Sequence, residues 1–105
     1  MAFREHKESY YQRKILLWLK KTYPGAFVFK VQQGQYSNLN GTPDILALID
    51  GRCFGFEVKR PGGKPTKLQE LAIQRMNAAG GTALVVTTVE QAREAIETWK
   101  KEAAK

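Results

Sequence analysis

Two carboxylates and an ammonium stand where two apolar runs end: Asp44, directly after Pro43, and the triplet Glu57-Val58-Lys59, which begins after twelve intervening residues. Carboxylate oxygens are hard donors suited to Mg²⁺ or Mn²⁺, and a cation so held can activate water beside a phosphate. The backbone carbonyl of Val58 could add a further oxygen, with waters filling the remaining positions. Lys59 could orient or help deprotonate the attacking water and offset charge building on a phosphate. The same side chains could instead neutralise one another as a salt-bridge cluster at a sheet edge.

A hairpin must position them. Residues 44–49 are a mostly apolar run of strand length, Asp50-Gly51 is a turn signal, and residues 52–59 form a second run. In that second run Phe54, Phe56 and Val58 alternate with Cys53, Gly55, Glu57 and Lys59, so period two puts Glu57 and Lys59 on one face. Asp44 and Glu57 lie six or seven residues either side of the turn, which sets them roughly opposite each other across the ladder. Between residues 9 and 69 the only acidic side chains are Asp44, Asp50 and Glu57. The turn accounts for Asp50. The other two are like charges at close range, and they need a cation, a shared proton or a salt bridge to persist.

The remaining elements follow from periodicity and punctuation. Glu8, Tyr11, Gln12, Ile15, Trp18 and Leu19 recur at helical spacing over about residues 4–22, ahead of Tyr23-Pro24-Gly25. Residues 26–32 read as a strand and 33–42 as a polar loop, in which Tyr36 and Asn38 could touch DNA by loop position alone. Leu68, Leu71, Ala72, Met76 and Ala79 form a helical stripe over 66–79, with Thr66 as N-cap and Gly80-Gly81 as the stop. Residues 82–88 are a β-branched strand, and 89–103 a last helix with Ala92, Ile96 and Trp99 inward. The order α-β-β-β-α-β-α predicts one α/β domain over 1–105, a mixed β-sheet flanked by helices. Tyr10, Tyr11 and Trp18, at helical spacing, read as core or dimer contacts rather than a base-stacking platform.

The chain has 105 residues, enough for one core without staples, and 17 Lys and Arg against 10 Asp and Glu give +7. Such an excess favours polyanions, nucleic acid above all. Arg60, Lys64 and Lys67 follow Glu57-Val58-Lys59 and are the candidate phosphate contacts, and Lys20, Lys21 and Lys30 would widen the positive field. Cys53 is the single cysteine and His6 the single histidine, so an intrachain disulfide and a Cys/His zinc cluster are excluded. A reduced intracellular, cytoplasmic setting is expected, without membrane span or leader. Gly63-Lys64-Pro65-Thr66 fails as a phosphate loop, because Val58 stands where a Gly is required and Pro65 where Ser or Thr is. No nucleotide cofactor is expected.

Glu8 with Gln12, Gly41-Thr42-Pro43-Asp44, Phe56-Glu57-Val58-Lys59-Arg60, and Pro61-Gly62-Gly63 leading to Gln69 together resemble the VRR-NUC (virus-type replication-repair nuclease) family of the PD-(D/E)xK superfamily. The resemblance spans nearly the whole chain. It implies a restriction-endonuclease-like core and Mg²⁺-dependent hydrolysis of DNA phosphodiester bonds. As in the compact phage members, it further implies a homodimer acting on branched DNA such as four-way (Holliday) junctions. By position, Asp44 and Glu57 would be the metal carboxylates, Lys59 the catalytic lysine, Glu8 the helix-borne acid completing the metal site, and Gln69 the glutamine that positions water or a metal ligand. The accessory domains of larger members have no counterpart here, so substrate preference would come from the nuclease domain or its dimer. Two other outcomes stay open: a catalytically inactive DNA-binding or scaffold module of the same fold, and a nuclease acting on linear DNA.

Overall fold

The computed structural model describes residues 6–32 and 41–105. Arg4, Tyr36 and Asn38 lie outside the described residues. The elements are α1 (Glu8–Thr22), β1 (Phe27–Lys30), β2 (Ile45–Ile49), β3 (Arg52–Val58), α2 (Lys67–Ala78), β4 (Thr82–Val86) and α3 (Val89–Ala103). The strands form one mixed sheet in the order β1-β2-β3-β4, antiparallel except for the parallel β3–β4 pair. The α/β class and the element order expected from the sequence are those observed. β4 stops two residues short of the expected end because the chain is claimed by α3. The Gln91 Oε1 accepts from the Thr87 and Thr88 N–H groups, and the Thr88 hydroxyl accepts from the Gln91 N–H, a reciprocal cap.

Strand alternation separates two faces. Ile45, Ala47 and Ile49 of β2, Phe54, Phe56 and Val58 of β3, and Val86 of β4 point to one side, where they bury against Ile15 and Leu19 of α1 and Ala92 and Ile96 of α3. Trp99 packs edge-on to Phe54 with ring centroids 5.6 Å apart. Each large side chain fully buried there contributes about 1.5–3 kcal/mol, so this face fixes the register of β2 and β3. Tyr11 and Trp18 pack on this core as expected, whereas Tyr10 stays at the surface and stacks on His6 with centroids 3.8 Å apart.

The other face carries α2. Gly55 lets it approach, since a Cβ there would sit 2.9 Å from the Met76 sulfur and 3.0 Å from Pro43 Cγ. The Asn77 amide then clamps α2 to β4, accepting from the Ala83 N–H at 2.8 Å and donating to its carbonyl at 3.0 Å. Those two backbone groups would otherwise be an open sheet edge. The expected inward stripe of α2 is only half realised: the helix has no buried residue, and Leu68 and Leu71 are exposed. α2 lies over β3 and β4, which leaves Phe27, Phe29 and Leu48 of β1 and β2 exposed at 64%, 37% and 44%.

Two tight turns aim the carboxylates. Asp50 (φ 49°) and Gly51 (φ 83°) both adopt positive φ, the two-residue hairpin turn whose twist matches its strands. Ile45 pairs with Phe56, so one further step of the same register sets Asp44 opposite Glu57. Upstream, Gly41 (φ 86°) packs on the first turn of α2, where a Cβ would collide with the Leu68 carbonyl oxygen. Gly41→Ala is therefore expected to cost about 1–3 kcal/mol more than Gly51→Ala, because Gly51 has open space around its missing Cβ and would suffer backbone strain alone. Urea unfolding of the two variants measures this, and equal losses would show that the loop carrying Asp44 does not depend on α2.

Candidate metal centre and active site

Asp44 lies one residue before β2, where the ladder has ended but the strands still run side by side. Its Oδ2 accepts from the Val58 N–H at 2.9 Å, and its backbone carbonyl accepts from the Val31 N–H at 2.8 Å. The carboxylate is thus held from β3, and the backbone that carries it from the residue after β1. Within a strand a residue's N–H and C=O point to the same side, so the Val58 carbonyl is directed to the side of Asp44 as well.

Glu57, facing Asp44, is 1% exposed, and its buried Oε1 has no hydrogen-bond partner among the described residues. Burial pushes its pKa up to about 8, with the charge of Asp44 and the hydrogen bond the two carboxyls share adding to the rise, and Lys59 opposing it. A Glu57 carboxyl raised this far keeps its proton at neutral pH and so does not face Asp44 as a second anion. Lys59 is 9% exposed, and its N–H donates to the Val86 carbonyl at 2.9 Å, so β4 steadies the residue just past the end of β3. Its Nζ lies 3.7 Å from Glu57 Oε2 and 4.0 Å from Glu8 Oε1. Two elements, α1 and β3, meet at this one ammonium.

The structure brings Asp44, Glu57, Val58 and Lys59 together as the sequence predicts. Glu8 touches Lys59 and its charge adds to the rise of the Glu57 pKa, while among the described residues no three Asp, Glu, His or Cys side chains gather into a group that could hold a metal ion. Glu8 therefore stands as the second counter-ion of Lys59. The donors present still fit a hard divalent cation: two opposed carboxylates, one with a buried oxygen lacking a partner, and a carbonyl directed the same way. Gln69 has a local task that its motif position did not reveal. Its Oε1 accepts from the Thr66 N–H at 2.8 Å while its own N–H donates to the Thr66 hydroxyl at 3.2 Å, closing the cap of α2. Its backbone nevertheless borders Gly41, three residues before Asp44.

Past Lys59 the chain leaves the sheet through a turn in which Gly63 N–H donates to the Arg60 carbonyl at 2.9 Å, with Pro61 and then Gly62 (φ 81°) at its centre. Arg60, Lys64 and Lys67 are all exposed around it. On the other flank, Ser9, Gln12, Arg13 and Leu16 of α1 with Lys30 and Ile45 line a cleft of about 280 Å³. Only helical spacing along α1 could have marked Arg13 for attention. The larger cavity, about 440 Å³, lies between α3, Arg52 and β4 and includes none of the carboxylate pair.

Two solved structures resemble this one. One, described as a VRR_NUC domain, is 24% identical, with 88% of this chain and 97% of that chain covered and a TM-score of 0.64. The other, a VRR_NUC domain protein, is 17% identical over 94% of this chain and 92% of its own, with a TM-score of 0.71. No protein-family model and no curated protein matches the chain. At these identities the likeness establishes the fold: the chain has the mixed α/β core of the VRR_NUC structures.

The raised Glu57 carboxyl sets a pH dependence. Between about pH 4.5 and 8 the folded protein keeps a proton that the unfolded chain has lost, so metal-free stability should fall as pH rises through that range and then level off. Glu57→Gln should flatten this fall in urea unfolding at pH 5 and pH 8. Mn²⁺ takes the ionised form, so wild-type affinity measured by calorimetry should rise with pH, up to about tenfold per unit below pH 8. Parallel stability profiles for wild type and Glu57→Gln would assign the titration elsewhere.

Proposed function

We propose that the chain is a Mg²⁺-dependent endonuclease that hydrolyses phosphodiester bonds of DNA, acting on branched substrates such as four-way junctions. The observation that carries this is the buried Glu57 oxygen without a partner, opposite Asp44 and beside Lys59, in a fold shared with VRR_NUC structures. Asp44, Glu57 and the Val58 carbonyl would hold the cation. Once bound, it would polarise the scissile phosphate and make a water more acidic. Glu57 would hold the cation in its ionised form. Lys59 keeps Glu8 as counter-ion and turns its remaining donors to the phosphate or the attacking water. Gln69 keeps its Oε1 in the helix cap and offers its Nε2 hydrogens. Arg60, Lys64 and Lys67 contact phosphates flanking the cut.

The preference for branched DNA rests on two copies presenting two sites to opposite strands. The exposed Phe27, Phe29 and Leu48 are a surface a second copy could cover. Phe27→Asp is expected to convert a two-copy species to the 11.9 kDa monomer in light scattering and to reduce junction cleavage more than cleavage of linear duplex. The reading as a non-catalytic DNA-binding module draws on the two ion pairs that already occupy Lys59.

A cleavage panel of four-way junction, flap, duplex and single strand with Mg²⁺, Mn²⁺ or chelator separates these readings. Cleavage should need the cation, and Asp44→Ala and Lys59→Ala should each lower it about 100- to 10,000-fold while DNA binding persists. Retained activity in both variants would refute the assignment. A wild type that binds every form and cuts none would favour the binding module.

A further inference from the structure

We infer that the cleft between α1 and the β1 end of the sheet is a nucleotide subsite, in which Arg13 and Lys30 hold the phosphate next to the scissile one. This rests on the nuclease reading and specifies how the substrate strand leaves the carboxylates.

Ser9, Gln12, Arg13 and Leu16 fall at i, i+3, i+4 and i+7, so they share one face of α1. Lys30 pairs with Ile45 in the ladder and therefore rises from the same side of the sheet as Ile45, the side on which α1 lies. The helix face and the strand end thus form two walls, with Leu16 and Ile45 as apolar lining and Arg13 and Lys30 as exposed cations.

What sets these cations apart is that they share one cleft and, among the described residues, neither is tied to a carboxylate. Lys59, Arg93 and Lys100 have carboxylate partners, and Arg52 donates to Thr82 and to the Gly81 carbonyl. Among the described residues neither Arg13 nor Lys30 pairs with a carboxylate, although both line one cleft. Two like charges on one concavity create a field that an anion between them relieves. At about 280 Å³ the cleft suits one sugar-phosphate unit. The phosphodiester meets the cations, Gln12 and Ser9 offer hydrogen bonds, and the sugar lies on Leu16 and Ile45.

Position ties the cleft to the reaction. Asp44 and Ile45 face opposite sides of the sheet, but Gln12 of the cleft lies one helical turn beyond Glu8, whose Oε1 is 4.0 Å from Lys59 Nζ, and Lys30 precedes Val31, whose N–H donates to the Asp44 carbonyl at 2.8 Å, so the cleft adjoins the site around the end of the sheet. A strand with its scissile phosphate at Asp44 and Glu57 therefore meets this cleft with its neighbouring nucleotide.

The test compares the full chain with the double variant Arg13→Gln/Lys30→Gln and, as a control of equal charge, Lys20→Gln/Lys21→Gln at the far end of α1. Junction binding is followed by anisotropy with Ca²⁺ across a salt series, and cleavage with Mg²⁺. The cleft variant should weaken binding at least tenfold more than the control and lower the salt slope by about 1–2. A neutral methylphosphonate scanned along both sides of the cleaved bond should weaken wild type at one adjacent position and leave the cleft variant unaffected there. Equal losses in the two double variants, or additive loss with the methylphosphonate, would overturn the subsite while the effects of Asp44→Ala and Lys59→Ala still stood. Competition by millimolar inorganic phosphate as strong as that by a dinucleotide would reduce the cleft to a plain anion site and also overturn it. A wild type without DNA binding would overturn the subsite together with the nuclease reading.

Discussion

Two carboxyls facing each other across the end of a hairpin are the constraint around which this molecule is arranged. Like charges at that range repel strongly away from water, and Glu57 is almost wholly enclosed. Without a cation, the shared proton, the Val58 N–H on Asp44 and the Lys59 ammonium at 3.7 Å oppose that repulsion. The proton removes one of the two charges, yet among the described residues one Glu57 oxygen stays buried with no partner. A site that is strained when empty and relieved by a cation is one in which folding energy has been converted into affinity and charge state.

That strain is tolerated because the rest of the fold leaves the hairpin little freedom. A one-residue slip of β3 would turn Phe54, Phe56 and Val58 out of the core and Glu57 into it. The Asp50-Gly51 turn sets the register from one end, and the core enforces it along the strand. On the opposite face Gly55 admits α2, Asn77 locks α2 to the outer backbone of Ala83, and Gly41 docks the approach to Asp44 on the first turn of the same helix. Gln91 similarly takes up the Thr87 and Thr88 N–H groups. The edge beside the site is largely closed by side-chain amides, which directs a ligand to the concave flanks.

What the sequence made legible was the part governed by short-range rules. Alternation in residues 52–59, a two-residue turn and helical stripes were enough for element order and for the opposition of Asp44 and Glu57. Three features depended on tertiary geometry and were not readable. Gln69 carries both a motif position and a helix cap, and sequence does not say which way its amide turns. Glu8 was expected among the metal ligands, and which partner it takes is set by the fold, which places it against Lys59, the ammonium that also pairs with Glu57. The apolar stripe of α2 was expected inward, yet α2 meets the sheet chiefly through Met76 at Gly55 and Asn77 at Ala83, leaving Leu68 and Leu71 outside.

The distribution of charge gives these local features a direction. α3 carries Glu90, Glu94, Glu97 and Glu102, all exposed, and the larger cavity lies along it. α1 carries Arg13, Lys14, Lys20 and Lys21 with Glu8 as its only acid, and Arg60, Lys64 and Lys67 surround the exit from β3. α3 also carries Arg93, Lys100 and Lys101, and Arg52 lines the larger cavity, so that cavity faces mixed charge rather than a basic flank. The carboxyl pair, chemically hostile to phosphate by itself, lies between two basic flanks. A polyanion guided by this field meets the metal centre with cations on both sides, so the field of the flanks and a bound divalent cation together can offset the repulsion of Asp44 and Glu57, which neither carboxyl could do alone.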